Sequence, residues 1–209
     1  MSVTNVNEQN PTVFIVDDES AVRDALGLLI ESAGFSTEGF ESACAFLEAY
    51  DPDRPGCVLL DVRMKQMSGL DLQEALQKKN IAIPIIFISG HGDVAISARA
   101  FRGGAIDFIE KPFDDQTILS RIEEALQKDA QSRKKRAARE EILRRYERLT
   151  PREKEVMKLV IGSQSNKQIA KILGISHRTV DAHRARVMEK MDAVSLADLI
   201  AKALEAEIA

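Results

Sequence analysis

The chain has 209 residues, of which 44% are hydrophobic and 30% charged, with a formal net charge of −4; that length suits one large or two small domains, each with its own core. No run approaches the ~18 apolar residues needed to cross a bilayer, and the polar start Met1–Asn10 has no signal-peptide core, so a cytoplasmic protein without membrane contact is expected. Cys44 and Cys57 lack metal-ligand spacing and sit among apolar neighbours, the pattern of buried reduced thiols, while His91, His177 and His183 are too scattered for a zinc site.

The net charge hides two halves. Residues 1–128 hold 11 Lys/Arg against 21 Asp/Glu, a net of −10, whereas residues 129–209 hold 18 against 12, a net of +6. Such a sign reversal is expected where only one part of a protein meets a polyanion. Residues 1–10 read as a flexible tail. Beyond them, strands are expected at Val13–Val16, Ser36–Phe40, Cys57–Leu60, Ile85–Ser89 and Asp107–Ile109. Helices are expected near Ser20–Ala33 (with Ser20 as cap), Ser42–Tyr50, Gly69–Lys79, Val94–Arg102 and Asp114–Lys128. Five βα units imply an α/β fold with a doubly wound, five-stranded parallel sheet. Strands one, three and four are nearly continuous apolar runs, as befits strands covered on both faces.

At the C-terminal edge of four of these strands stands a polar group: Asp17-Asp18, Asp61, Ser89 and Lys111-Pro112. Open parallel sheets place their ligand crevice at that edge. Crowded carboxylates suit a hard divalent ion such as Mg²⁺, and a metal-bound carboxylate can act as a nucleophile. Attack on a phosphoryl donor gives an acyl phosphate on Asp61; Mg²⁺ and the Lys111 ammonium then neutralise the transferring oxygens, and the Ser89 hydroxyl donates to them. An Asp-Asp pair after a strand is by itself usually a solvated turn, but the four groups together, in this order, form a specific set. Over residues 11–128 the sequence closely resembles the receiver domain of two-component response regulators. The resemblance implies that Asp61 is the phosphoacceptor and Asp18 a direct Mg²⁺ ligand. Asp17 reaches the metal through water, and the Arg63 backbone carbonyl completes the set. Ser89 and Lys111 engage the phosphoryl group, and Phe108 matches an aromatic whose rotamer reports phosphorylation, its spacing alone fitting an ordinary core aromatic equally. Where the family commonly has Pro four residues after the acceptor, this chain has Lys65, which puts the rigidity of the Arg63–Gly69 loop in question.

From Asp114 to Leu149 no strand or turn residue interrupts the chain. Gln127–Arg148 is rich in helix formers, so residues 129–148 read as a helical linker continuing the fifth helix. Arg133-Lys134-Lys135-Arg136 is either a solvated face or a nonspecific attractor of DNA. Thr150-Pro151-Arg152-Glu153 is a capping box with Pro at the first helical position, and the helix it opens ends at Gly162. A second box at Ser165–Gln168 begins a short helix stopped by Gly174; Ser176 caps a third helix to about Lys190, and Ser195 a fourth. Of these four helices, the short one, the Gly174 turn and the longer one opened by Ser176 make a helix-turn-helix, the arrangement that lays its second helix, here the one from Ser176, in the DNA major groove.

On that second helix Val180, Val187 and Met191 form the inward stripe, with His183 near its edge, placed for core or backbone-contact duty more than for base reading. Arg178, Asp181, Ala182 and Ala185 point away and are candidate base readers: Arg178 for guanine, Asp181 for cytosine N4, the alanines for a thymine methyl. Lys167, Thr179 and Arg184 are assigned to phosphate. The runs Leu149-Thr150-Pro151-Arg152-Glu153, Asn166-Lys167-Gln168-Ile169-Ala170 and Thr179-Val180-Asp181-Ala182-His183-Arg184 make residues 149 to about 205 similar to the LuxR/FixJ-type four-helix DNA-binding domain, which places that domain at 149–209.

Together the resemblances imply a response regulator of a two-component system. A sensor histidine kinase phosphorylates Asp61, and the phosphorylated protein dimerises, binds double-stranded promoter DNA and regulates transcription with RNA polymerase as a further partner. It would be a self-phosphorylating acceptor with slow self-dephosphorylation, not a turnover enzyme. A phosphohydrolase using the same nucleophile would commonly carry a second Asp where Arg63 stands, and a single-stranded-RNA module would carry more aromatics than Tyr146 after residue 128.

Overall fold

The computed structural model describes residues 10–90 and 94–208; the tail expected over residues 1–10, apart from Asn10, and His91 lie outside the described residues. Strands β1 (Thr12–Val16), β2 (Ser36–Phe40), β3 (Gly56–Asp61), β4 (Ile85–Ser89) and β5 (Asp107–Glu110) form one parallel sheet in the order β2-β1-β3-β4-β5. Pleating sends alternate residues to opposite faces, so each face builds its own core. Phe14, Val58, Leu60 and Phe87 pack with Phe46, Leu72 and Leu76 of α2 (Ala43–Ala49) and α3 (Gly69–Lys78), and with Ala100 of α4 (Val94–Arg102). Val13, Ile15, Leu59 and Ile86 pack with Leu26 and Ile30 of α1 (Ser20–Ser32) and with Ile118 and Ile122 of α5 (Asp115–Glu147). Each fully buried Phe or Leu contributes roughly 1.5–3 kcal/mol.

Ser20 is not the cap of α1 but its first helical residue. Glu19 is the N-cap and makes no side-chain cap bond; instead Asp17 Oδ1 accepts the Glu19 N–H at 2.9 Å. A carboxylate that bonds its own backbone two residues on sets the turn in place of a serine cap. Cys57 is buried in β3, and burial, with the charge of Asp129, pushes its thiol up, whereas Cys44 is only half-buried.

The chain divides into two compact units, Met1–Ser132 and Arg133–Ala209. Asp129, on α5, belongs to the first: its buried carboxylate accepts the Gly56 N–H at 2.9 Å, at the start of β3. The second unit holds the last turns of α5 and helices α6 (Pro151–Ile161), α7 (Asn166–Leu173), α8 (His177–Lys190) and α9 (Leu196–Glu205). Val156, Val160, Ile169, Val180, Val187, Met191 and Leu199 share its core. Both expected capping boxes form, at Thr150/Glu153 and Ser165/Gln168, and Gly174 takes the left-handed φ of 64° that ends α7. No helix among the described residues is long and apolar enough to cross a membrane.

Glu153 is buried, at 2% exposure, and is held by two partners. Its Oε2 accepts the Lys190 ammonium at 2.7 Å and the Thr150 N–H at 2.8 Å. The Lys190 bond leads in lowering its carboxyl from 4.5 to about 2, against the opposing effect of burial. A depressed folded-state value adds stability that is complete above the unfolded value and lost as pH falls through the folded one. Glu153→Gln is therefore expected to cost the helical unit roughly 1–3 kcal/mol near neutral pH in urea unfolding. The gap from the unsubstituted protein should shrink between pH 4.5 and about 2; a gap unchanged over that interval would show that the ion pair is not its source.

Candidate functional site

In this sheet the connections from β1 and β3 part to opposite sides, and such a switch point opens a crevice beyond the strands' carboxyl ends. Asp17 and Asp18 follow β1, and Asp61 ends β3, paired beside Ile88 of β4. Lys111 follows β5 and reaches back across the crevice, its Nζ 3.1 Å from Asp17 Oδ2 and 3.3 Å from Asp61 Oδ1. The Lys111 N–H donates to the Ser89 carbonyl at 2.7 Å, so two of the expected site residues share one backbone anchor. The Ser89 side chain is buried. Asp61 Oδ2 accepts the Arg63 N–H at 2.7 Å, and the Arg23 guanidinium donates to the Asp17 carbonyl at 2.7 Å.

The electrostatics leave this cluster short of positive charge. Burial, then the Asp17 charge, raise the Asp61 carboxyl above the usual carboxylate range, although Lys111 and the Arg63 N–H pull it down. Burial disfavours the charged form of Lys111, yet Asp17 and Asp61 outweigh it and raise its ammonium. Among the described residues no group of three or more His, Cys, Asp or Glu side chains is arranged to hold a metal ion; Asp18 faces the exposed Lys65 at 3.9 Å. The donor chemistry nevertheless fits a hard cation. Asp17 and Asp61 converge through oxygens on a single positive centre, Lys111 Nζ, and oxygen-only ligands around surplus negative charge are what Mg²⁺ requires.

The loop after Asp61 has its own restraints in place of the missing proline. Met67 donates to the Lys65 carbonyl at 2.8 Å around Gln66, whose φ is 68°. Ser68 and Asp71 then form a capping box for α3. At Gly69 a Cβ would lie 2.2 Å from the Asp61 carbonyl oxygen, so only glycine lets α3 start this close to the strand end. Phe108 is half-buried, its ring centroid 6.2 Å from that of Phe87.

In the helical unit Lys167 and Thr179 lie in the first turns of α7 and α8, and Arg178, Asp181, Ala182 and Ala185 are exposed on α8, as expected. Arg184 is half-buried. Asp181 is not a free acceptor: Oδ1 takes a hydrogen bond from Asn166 Nδ2, and Oδ2 lies 3.2 Å from His177 Nδ1. Asn166 Oδ1 in turn accepts from Arg184 Nη1. His183 is half-buried, and its buried Nδ1 makes no hydrogen bond.

Residues 13–123 match the family model described as "Response regulator receiver domain". The chain belongs to the response regulators. Residues 147–203 of this regulator match "Bacterial regulatory proteins, luxR family". It is similar to the transcriptional regulatory protein FixJ of Azorhizobium caulinodans, at 42% identity over 94% of this chain and 93% of that protein. Nodulation protein W of Bradyrhizobium diazoefficiens is 45% identical over 90% of this chain and 83% of that protein. Among solved structures, the response regulator StyR superposes with a TM-score of 0.84 at 44% identity, covering 94% of this chain and 99% of that one. Full-length FixJ from B. japonicum gives 0.58 at 38% identity, covering 97% and 100%. The regulator thus joins a receiver to a LuxR-type DNA-binding domain, as do transcriptional regulators of two-component systems.

Sequence reasoning missed Arg23, Gly69, Asn166 and His177. Arg23 lies one turn into α1, where a long cation can reach back to the end of β1; Asn166 opens α7, and its partners Asp181 and Arg184 lie on another helix. The Gly69 contact gives a test: Gly69→Ala is expected to destabilise the receiver by roughly 1–3 kcal/mol in urea unfolding, because the Asp61 carbonyl must move. Unchanged stability would mean that the strand end yields freely.

Proposed function

We propose that residues 11–128 act as a phosphoacceptor module and residues 149–209 as its DNA-binding output, with 129–148 as the helical linker, in a cytoplasmic regulator driven by a sensor histidine kinase. A carboxylate oxygen of Asp61 attacks the phosphorus of the kinase's phosphohistidine; a P–O bond forms, the P–N bond breaks, and its electron pair leaves with the imidazole. The observation that carries this reading is the sharing of Lys111 Nζ between Asp17 and Asp61 at the sheet's switch point. That ammonium is positioned to turn to the oxygens of a phosphoryl group on Asp61, and the Ser89 hydroxyl to donate to them. Asp17, Asp18, Asp61 and the Arg63 carbonyl would hold Mg²⁺, which when bound supplies charge neutralisation on the phosphoryl oxygens. Arg63 offers no carboxylate to hurry hydrolysis, which supports an acceptor with slow self-dephosphorylation over a turnover enzyme.

Drawing Ser89 toward the phosphoryl group, with Phe108 turning inward, would bias a two-state surface at α4 and β5 through which receivers pair. A symmetric dimer then presents two copies of α8 to an inverted repeat in promoter DNA, where RNA polymerase is the further partner. Arg178, Ala182 and Ala185 face the bases; Lys167, Thr179 and Arg184 grip phosphate.

With Mg²⁺ and acetyl phosphate the protein should gain one acid-stable, base-labile phosphoryl group, and Asp61→Asn none. Sedimentation should show monomers becoming dimers on phosphorylation, and affinity for duplex DNA should fall steeply with salt. Equal labelling of the Asn variant would overturn the acceptor assignment, and a phosphorylated protein that stays monomeric even on DNA would overturn the dimer.

A further inference from the structure

The helix-turn-helix contains a hydrogen-bonded chain to which no role has been assigned. Asn166, the first residue of α7, donates through Nδ2 to Asp181 Oδ1 and accepts at Oδ1 from Arg184 Nη1. His177 Nδ1 lies 3.2 Å from Asp181 Oδ2, on the far side of that carboxylate. Asp181 and Arg184 are three residues apart on α8, so they share one face. An amide is the side chain suited to this place, because it donates to a carboxylate on one side and accepts from a guanidinium on the other. A loose arginine must surrender rotamer freedom when it grips a phosphate, whereas one already held has surrendered it beforehand.

We propose that Asn166 is a positioning residue for DNA binding: anchored by Asp181, it holds the Arg184 guanidinium in place before DNA arrives. Asp181 thereby acts through Asn166 and Arg184, not by accepting from a base. The inference rests on the reading of α8 as the DNA-facing helix.

The test is a mutant cycle on the full chain phosphorylated with acetyl phosphate and Mg²⁺, with binding read by fluorescence anisotropy on a random-sequence duplex of about 30 base pairs, long enough for one dimer. Arg184→Ala should weaken binding about tenfold and Asn166→Ala about three- to tenfold, while Asn166→Ala added to Arg184→Ala should cost less than about twofold more. Melting temperatures should match the parent's, since a merely structural loss would lower them together with affinity. Asp181→Ala gives an independent arm that turns on sign. Removing a negative charge should by itself tighten binding to DNA; the proposal predicts weakening, by about twofold or more, in the parent background and none once Arg184 is alanine. Losses that multiply independently, or tighter binding by Asp181→Ala in both backgrounds, would overturn the proposal, and the Asp181 arm decides if Asn166→Ala fails to fold. If the unsubstituted protein does not bind the duplex, or Arg184→Ala changes nothing, the reading of α8 itself has failed.

Discussion

A single ammonium shared by the buried carboxylate of Asp17 and the half-buried one of Asp61 is the constraint around which the receiver is arranged. Removing Asp17, Asp61 and Lys111 from water is costly, and their mutual attraction offsets that cost only if the three are held at short range with their remaining atoms bonded. The fold meets both conditions through its backbone. Parallel pairing brings the ends of β1, β3, β4 and β5 to one edge, and the Lys111 N–H hangs from the Ser89 carbonyl. The second oxygens of the two carboxylates accept backbone N–H groups of Glu19 and Arg63. The balance is incomplete, since Asp61 remains raised by burial and by Asp17. Surplus negative charge on oxygen ligands suits a hard cation, in keeping with the phosphoacceptor role proposed for Asp61.

The helical unit solves a different electrostatic problem. Its surplus of positive charge must face outward to a polyanion, and its fold must not depend on those cations. The ion pair of buried Glu153 with half-buried Lys190 ties the start of α6 to the end of α8 inside the unit, while Arg178, Ala182 and Ala185 are exposed on α8. Core contacts through Val180, Val187 and Met191 fix the rotation of α8 about its axis. Which residues can meet DNA therefore follows from which ones fill the core.

Much of this was legible in the sequence because it rests on local patterns. β1, β3 and β4 are covered on both faces and so read as continuous apolar runs. Serine and threonine caps and left-handed Gly174 punctuate the helices of the second unit by rules that act over a few residues. The polar groups at strand ends stood out because each interrupts an apolar run at the edge where crevices form. What escaped were bonds between side chains brought together only by the fold. Asn166 is 15 residues from Asp181 and 18 from Arg184, and no periodicity links positions on different elements. Ser20 fits the pattern of a serine cap yet is not one for a related reason: Asp17 already supplies the turn bond from the strand side.

The shared ammonium implies that Lys111 and Asp61 are energetically coupled within the receiver. Urea unfolding of Lys111→Met, Asp61→Asn and the double variant measures that coupling directly. Lys111→Met should destabilise the parent by roughly 1–3 kcal/mol by leaving the Asp17 and Asp61 carboxylates without their shared cation, and in the Asp61→Asn background the cost should fall to about half or less. An equal cost in both backgrounds would mean that the ammonium and the Asp61 carboxylate do not sense one another, and the charge-balanced site would be contradicted.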